Sequence, residues 1–168
     1  MGRLHVYTGD GKGKTSMAMG MAMRALGHGQ RVVIIQFLKG QETGEQNIKN
    51  FNKKLIFKKF GSKNFIFEKK NQTDYTIAVD AVNFTLNILK TKPNLIILDE
   101  INVALNLGLI SLDSAMTIIN SCPKNTELVF TGRGAPKKIL DIADLVTEMK
   151  NLKHYFNRGD KAKKGIEY

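Results

Sequence analysis

Short apolar runs alternate with stretches of helical spacing along the whole chain. Leu4–Thr8 reads as a short buried strand, and Lys14–Leu26 as a helix rich in Met and Ala. The next run, Val32-Val33-Ile34-Ile35-Gln36-Phe37-Leu38, is almost continuously apolar and opens with four β-branched residues. It follows a turn at Gly27–Arg31 that ends the helix, so the pattern predicts a strand. Lys54–Phe60 alternates weakly and fits an edge strand. Thr73–Leu89 has helical spacing, with Ile77, Val82, Leu86 and Leu89 on the side expected to be buried. Pro93 marks a boundary. Asn94–Asp99 is another apolar strand, and Asp99 and Glu100 close it with two acids. A helix at Leu112–Asn120, a strand at Thr126–Thr131, a short helix at Pro136–Ala143 and a last strand at Leu145–Met149 complete the reading. Strands separated by helices predict an α/β fold: a mostly parallel sheet covered by helices on both faces.

Length narrows this picture. The 168 residues suit one domain spanning 1–168, and 42% apolar content supports a real core without disulfides. Cys122 is the single cysteine, so no intrachain disulfide can form. His5, His28 and His154 are far apart, which argues against a structural zinc site. No apolar stretch is long enough to span a bilayer, and no charged leader precedes the first strand, so a cytoplasmic protein without a membrane role is expected. The balance of 26 basic and 15 acidic residues gives a net charge of +11. Two readings of that charge stand: an anionic partner, or a lysine-rich composition with no functional meaning.

The most informative segment is Thr8-Gly9-Asp10-Gly11-Lys12-Gly13-Lys14-Thr15-Ser16. It follows a strand and opens a helix, the context a phosphate-binding loop needs. Glycines let backbone N–H groups converge on phosphate oxygens, and the helix N-terminus adds partial positive charge. Lys14 would reach phosphate as a point charge, and Thr15 would offer its hydroxyl to Mg²⁺. The usual G-x-x-x-x-G-K-[ST] spacing puts the first glycine at residue 8, which is Thr8; Gly9 stands one place late. Downstream, Asp99 and Glu100 sit at the C-terminal edge of a strand, where either can hold Mg²⁺ directly or through water. Thr131-Gly132-Arg133-Gly134 ends another strand on the same side of the sheet. Arg133 there is either a bidentate phosphate ligand or a solvent-facing turn residue.

On these residues the chain resembles the ATP-dependent corrinoid adenosyltransferases of the RecA-like P-loop type. The resemblance is carried by Val6–Thr15, Arg24–Gly29, Gln36-Phe37-Leu38-Lys39-Gly40, Leu98–Asn102, Leu128–Pro136, Ala143–Met149 and Lys164–Tyr168. The displaced glycine is that family's form of the loop. The resemblance implies a single-domain P-loop fold and transfer of the 5′-deoxyadenosyl group of ATP to Co(I) of a corrinoid, with triphosphate released. It implies ATP held with its γ-phosphate where other P-loop enzymes hold the α-phosphate, Mg²⁺ as cofactor, an electron donor such as a reduced flavoprotein, and a homodimer. It also implies that aromatic residues displace the lower axial ligand of cobalt. Phe65-Ile66-Phe67-Glu68 matches that segment, and Phe67 stands where relatives often have Trp. Two residues apart in an extended chain, Phe65 and Phe67 share a side; as residues alone they fit equally the core face of a strand. Some relatives cover the corrinoid with an added N-terminal segment. Here the first strand opens at Leu4, so closure over the substrate is expected to differ.

Rival classes share parts of this pattern. A RecA-like ATPase or nucleic-acid-binding protein would use the same loop and the +11 charge. The chain lacks the basic stripe interleaved with aromatics that single-strand binding uses, so nucleic acid is not an expected partner. A small-molecule kinase would need an Arg-bearing lid, which the sequence does not show. A corrinoid carrier would share Phe65 and Phe67 without turnover.

Overall fold

The computed structural model describes residues 2–40, 43–50, 52–62, 71–159 and 161–166. Among these residues six strands form one sheet: β1 (Leu4–Thr8), β2 (Val32–Phe37), β3 (Leu55–Phe60), β4 (Leu95–Asp99), β5 (Glu127–Thr131) and β6 (Leu145–Glu148). Their order is β3-β2-β4-β5-β1-β6, and every pairing is parallel, so the sheet is more uniform than the sequence predicts. The helices are α1 (Lys14–Gly27), α2 (Gln72–Leu89), α3 (Ile101–Asn106), α4 (Leu112–Asn120) and α5 (Lys137–Ile142). Single 3₁₀ segments occupy Gly44–Asn50 and Tyr155–Arg158.

Residue alternation divides the core into two layers. Val33, Ile35 and Phe37 of β2, with Ile96 and Leu98 of β4, face α2, α3 and α4. Val32 and Ile34, with Leu95 and Ile97, face α1, which covers the opposite side through Ala18, Met19, Ala22, Ala25 and Leu26. All six residues of β2 are buried, which is why its sequence lacks polar alternation. Burying one such Ile or Val side chain contributes roughly 1.5–3 kcal/mol before entropy is counted.

The predicted elements are present with small shifts at their ends. The second helix begins at Gln72 because Asn71 caps it: the Asn71 side chain accepts from Asp74 N, and Asp74 Oδ2 accepts from Asn71 N. On its buried side Val82 and Leu89 are buried as expected, while Ile77 and Leu86 are half-buried and Ala78 and Ala81 make the close contact. The short helix α3 is not predicted from the sequence. It follows Glu100, whose left-handed conformation (φ 64°) turns the chain sharply out of β4. β3 lies at one edge of the sheet as expected, and β6 at the other.

Candidate active site

Parity along three neighbouring strands builds the site. On the face turned toward α1, β2 ends with Gln36, β4 with Asp99 and β5 with Thr131. Gln36 pairs in register with Asp99, and Leu98 with Phe130, so Thr131 lies beside Asp99 on the other strand. These three residues form a polar row across the C-terminal edge of an otherwise apolar face. Each is fully buried, at 0% exposure.

Buried polar groups need partners, and Asp99 has four. Its Oδ1 accepts from Thr15 Oγ1 (2.9 Å) and Thr131 Oγ1 (2.6 Å). Its Oδ2 accepts from Lys39 Nζ (2.7 Å) and Gln36 Nε2 (3.1 Å). Burial pushes this carboxyl up, but the Lys39 ammonium and the hydroxyl donors outweigh burial and hold it below its ordinary value. The neighbouring Glu100 goes the other way: burial first, then the Asp99 charge, raise it. Two adjacent acids thus sit in opposite states of readiness to ionise, and a cation between them would relieve the strain on the second.

The phosphate loop takes its shape from close backbone approach. Gly9 (φ 93°) lies against Met149, where an added Cβ would come within 2.4 Å of the Met149 carbonyl oxygen. A Cβ at Gly11 would meet the Met149 and Lys150 carbonyl oxygens at 2.8 Å. Gly11 N donates to Met149 O (2.7 Å), and Met149 N donates to Thr8 O (2.9 Å), so the chain after β6 props the loop from behind. Lys14 is buried, and its ammonium donates to Gly9 O (2.8 Å) and Gly11 O (2.6 Å). Burial lowers its pKa, with the nearby Glu100 opposing.

The steric limit at Gly9 gives a direct prediction. Gly9→Ala should weaken binding of a phosphate ligand in the loop by about tenfold or more, because both the positive φ and the Met149 contact oppose a Cβ and the loop must shift. Gly20→Ala, at a helical site with nothing within 4 Å of the added carbon, should raise the melting temperature slightly instead. Calorimetric titration with ATP and thermal denaturation of both variants check the contrast.

Above the loop lies an open cavity of about 940 Å³. Asp10 to Ser16 form its floor, and Lys39, Glu100 and Arg133 stand on its walls. Met19, Met23 and Leu38 supply apolar surface, and Ile166 approaches from the C-terminal segment. Lys12 donates to the Tyr155 hydroxyl, which ties the loop to that segment. The volume and mixed lining suit a nucleotide-sized ligand or larger.

The sequence profile described as ATP:corrinoid adenosyltransferase BtuR/CobO/CobP matches residues 1–168. The chain belongs to the ATP:corrinoid adenosyltransferase family. It is 40% identical to the corrinoid adenosyltransferase of Pseudomonas aeruginosa, over 99% of this chain and 84% of that protein. It is 35% identical to corrinoid adenosyltransferase CobA of Salmonella typhimurium, over 99% of this chain and 86% of that protein. The Escherichia coli K12 corrinoid adenosyltransferase is 32% identical, over 99% and 86% respectively.

In this member of the adenosyltransferase family, the structure gathers most of the sequence-predicted residues in one place. Asp10, Gly11, Lys12, Gly13, Lys14, Thr15 and Ser16 line the cavity with Glu100 and Arg133. Thr8 and Gly9 lie behind the floor; Thr8 Oγ1 accepts from Ala135 N (3.3 Å) and steadies the turn after β5. Asp99 lies beneath the wall with its oxygens already engaged. Phe65 and Phe67 fall outside the described residues. Three polar residues around Asp99 have no role assigned from the sequence: Gln36, Lys39 and Thr131. The signal for two of them is a polar residue at the last inward position of an apolar strand. Lys39 carries no such signal, because only the turn at Leu38 aims it back at Asp99.

Proposed function

We propose that this chain transfers the 5′-deoxyadenosyl group of ATP to the Co(I) of a corrinoid. The observation that carries the reading is the family match over residues 1–168 on a chain whose phosphate loop, Glu100 and Arg133 open into one cavity. In the reaction the cobalt lone pair forms a Co–C5′ bond, the C5′–O bond breaks, and triphosphate leaves with the electron pair. No proton moves in that step, so no general base is required, and the work left to the protein is alignment and charge stabilisation.

Lys14, the loop N–H groups at the start of α1 and Arg133 are the groups that would hold the triphosphate. ATP turned with its γ-phosphate deep in the loop leaves C5′ facing the open cavity, where a macrocycle has room. Mg²⁺ suits the donor chemistry: Thr15, Asp99 and Glu100 are hard oxygen donors, and the Lys39 ammonium on Asp99 marks that position as one that takes a cation. Bound there, Mg²⁺ would supply charge neutralisation to the leaving triphosphate. Among the described residues no cluster of three or more His, Cys, Asp or Glu could hold a metal. The remaining ligands would therefore come from phosphate and water.

The finer parts of the reading are these. Residues 1–168 form one domain, acting in the cytoplasm as a homodimer served by a reduced flavoprotein. One sheet joins all six strands, which supports a single domain. Among the described residues no helix is long and apolar enough to cross a membrane. Phe65 and Phe67 displace the lower ligand of cobalt. The support for that role is placement of the flanking chain: Ser62, just before this segment, lines the cavity. Phe65→Ala should slow turnover roughly tenfold, a loss of about 1.4 kcal/mol, when the starting corrinoid is cob(II)alamin. Turnover should change little when cob(I)alamin is supplied. Equal loss in both assays would count against ligand displacement.

The test of the function is incubation with ATP, Mg²⁺ and chemically reduced cob(I)alamin. The visible spectrum should change to that of an alkylcobalt corrinoid, with one triphosphate released per cobalt–carbon bond. Release of inorganic phosphate without corrinoid, and no spectral change, would point instead to a RecA-like ATPase.

A further inference from the structure

Lys39 sits where a metal ion would. Its ammonium lies 2.7 Å from Asp99 Oδ2 and 3.3 Å from Thr15 Oγ1, the acid and hydroxyl assigned above to Mg²⁺. Asp99 is fully buried. A carboxylate taken out of water is costly to leave without a positive partner, so a cation at this position is strongly favoured whenever Asp99 is ionised. Lysine suits a temporary occupant: its charge is compact and rides on a flexible stem, unlike the planar fork of arginine.

The backbone of Lys39 is fixed while its side chain has somewhere to go. Leu38 adopts φ 62°, a left-handed conformation unfavourable for a leucine, and its N–H donates to Phe60 O (2.7 Å). Gly61 packs so close that a Cβ there would lie 2.5 Å from Lys39 N. Held between these two constraints, the main chain cannot follow the ammonium. The Lys39 side chain is 24% exposed and borders the cavity, whereas the Asp99 side chain is at 0%. Motion of the ammonium is therefore outward, toward the place where phosphates would lie.

A second observation points to a ligand not yet bound. Gln36, fully buried beside Asp99, donates through Nε2 to both Asp99 and Glu45 (3.2 Å). Its Oε1 is buried with no hydrogen-bond partner among the described residues. Hydrated Mg²⁺ keeps several waters, and a water on such an ion is a donor of the kind this oxygen lacks.

We propose that Lys39 is a resident counter-cation, which fills the metal position at Asp99 and Thr15 in the nucleotide-free protein and moves onto the triphosphate when Mg²⁺ takes its place. This rests on the reading that the site binds ATP with Mg²⁺. It makes metal and nucleotide enter together: Mg²⁺ alone must compete with a tethered charge, and triphosphate alone can draw that charge off only by leaving the buried Asp99 without a positive partner.

The test uses the full chain and Mn²⁺ as a paramagnetic probe for the metal. Free Mn²⁺ is titrated into nucleotide-free wild type, Lys39→Met and Lys39→Gln and followed by electron paramagnetic resonance. Both variants should bind Mn²⁺ about tenfold tighter than wild type, since a competing charge has been removed. Adding Asp99→Asn to Lys39→Met should abolish the gain. With Mn²⁺ saturating, inorganic tripolyphosphate should bind Lys39→Met about tenfold more weakly than wild type. Equal Mn²⁺ affinity in all three proteins overturns the counter-cation role, and unchanged tripolyphosphate affinity overturns the move onto phosphate. Should both variants fail to fold, wild type alone decides. Its melting temperature should ignore Mn²⁺ and rise with Mn²⁺ plus tripolyphosphate; an equal rise with Mn²⁺ alone overturns the proposal. Wild type that binds neither ATP nor tripolyphosphate, with or without Mn²⁺, would defeat the nucleotide reading itself.

Discussion

Replacing Lys14 with alanine is expected to lower kcat/KM for transfer to chemically reduced cob(I)alamin by about 10²–10³-fold, the usual loss when one preorganised electrostatic group is removed from a site of developing charge. The leaving group is a triphosphate, so the added charge in the transition state falls on oxygens held by the loop. Lys14 is 8% exposed and already cradled by the carbonyls of Gly9 and Gly11. Its ammonium is thus positioned before substrate arrives. Lys14→Arg should not restore the rate, because two converging carbonyls fit a compact ammonium better than a planar guanidinium. Initial rates of cobalt–carbon bond formation, with circular dichroism to confirm the fold, check both variants. A Lys14→Ala enzyme near wild-type activity would remove the loop from the reaction.

Asp99→Ala carries the second large effect, and it falls on stability as well as activity. The change leaves Lys39, Gln36, Thr15 and Thr131 facing a hole where one carboxylate accepted from all four. Breaking a buried ion pair by deleting one partner costs about 3–5 kcal/mol. Lys39 can swing toward the cavity, so the lower end applies, and the melting temperature should fall by roughly 6–12 °C for a chain of this size. The pair also sets a pH dependence. Asp99 lies below its ordinary value of 3.8 in the folded protein, so its stabilisation is complete above that pH and is lost as pH falls through the depressed value. Lys39 lies above its ordinary 10.5. Its stabilisation is complete below that pH and is lost as pH rises through the raised value. Stability from this pair should therefore be flat through neutrality in wild type, with the difference between wild type and Asp99→Ala shrinking at acid pH. Thermal denaturation across pH 2–8 checks the sign.

Much of this arrangement can be read from residue order alone. Apolar runs such as Val32–Ile35 and Leu95–Leu98 are unambiguous because a strand buried on both faces shows a continuous apolar run in place of polar alternation. The loop at Thr8–Ser16 is equally legible, because the glycines that backbone approach demands are visible as glycines. Helix α3 is not legible: six residues give too few turns for a period to show, and Glu100 enters it in a left-handed conformation that sequence does not announce. The network around Asp99 is hidden for another reason. It joins residues from four segments, and the bond from Lys39 to Asp99 depends on a strained turn at Leu38 rather than on strand parity. Asp99 itself is legible as an acid at a strand end, but its saturation by four donors is not. That saturation leaves Glu100 as the acid with a free path to the cavity.

The prop behind the phosphate loop has a thermodynamic corollary. β6 is a four-residue border strand, mostly open to solvent and paired among the described residues with β1 alone, yet its exit at Met149 is what fixes Gly9 and Gly11. The weakest margin of the sheet and the grip on nucleotide are consequently one cooperative unit. Fraying of that margin slackens the grip, and any ligand that tightens the grip returns part of its affinity to the margin as added resistance to unzipping.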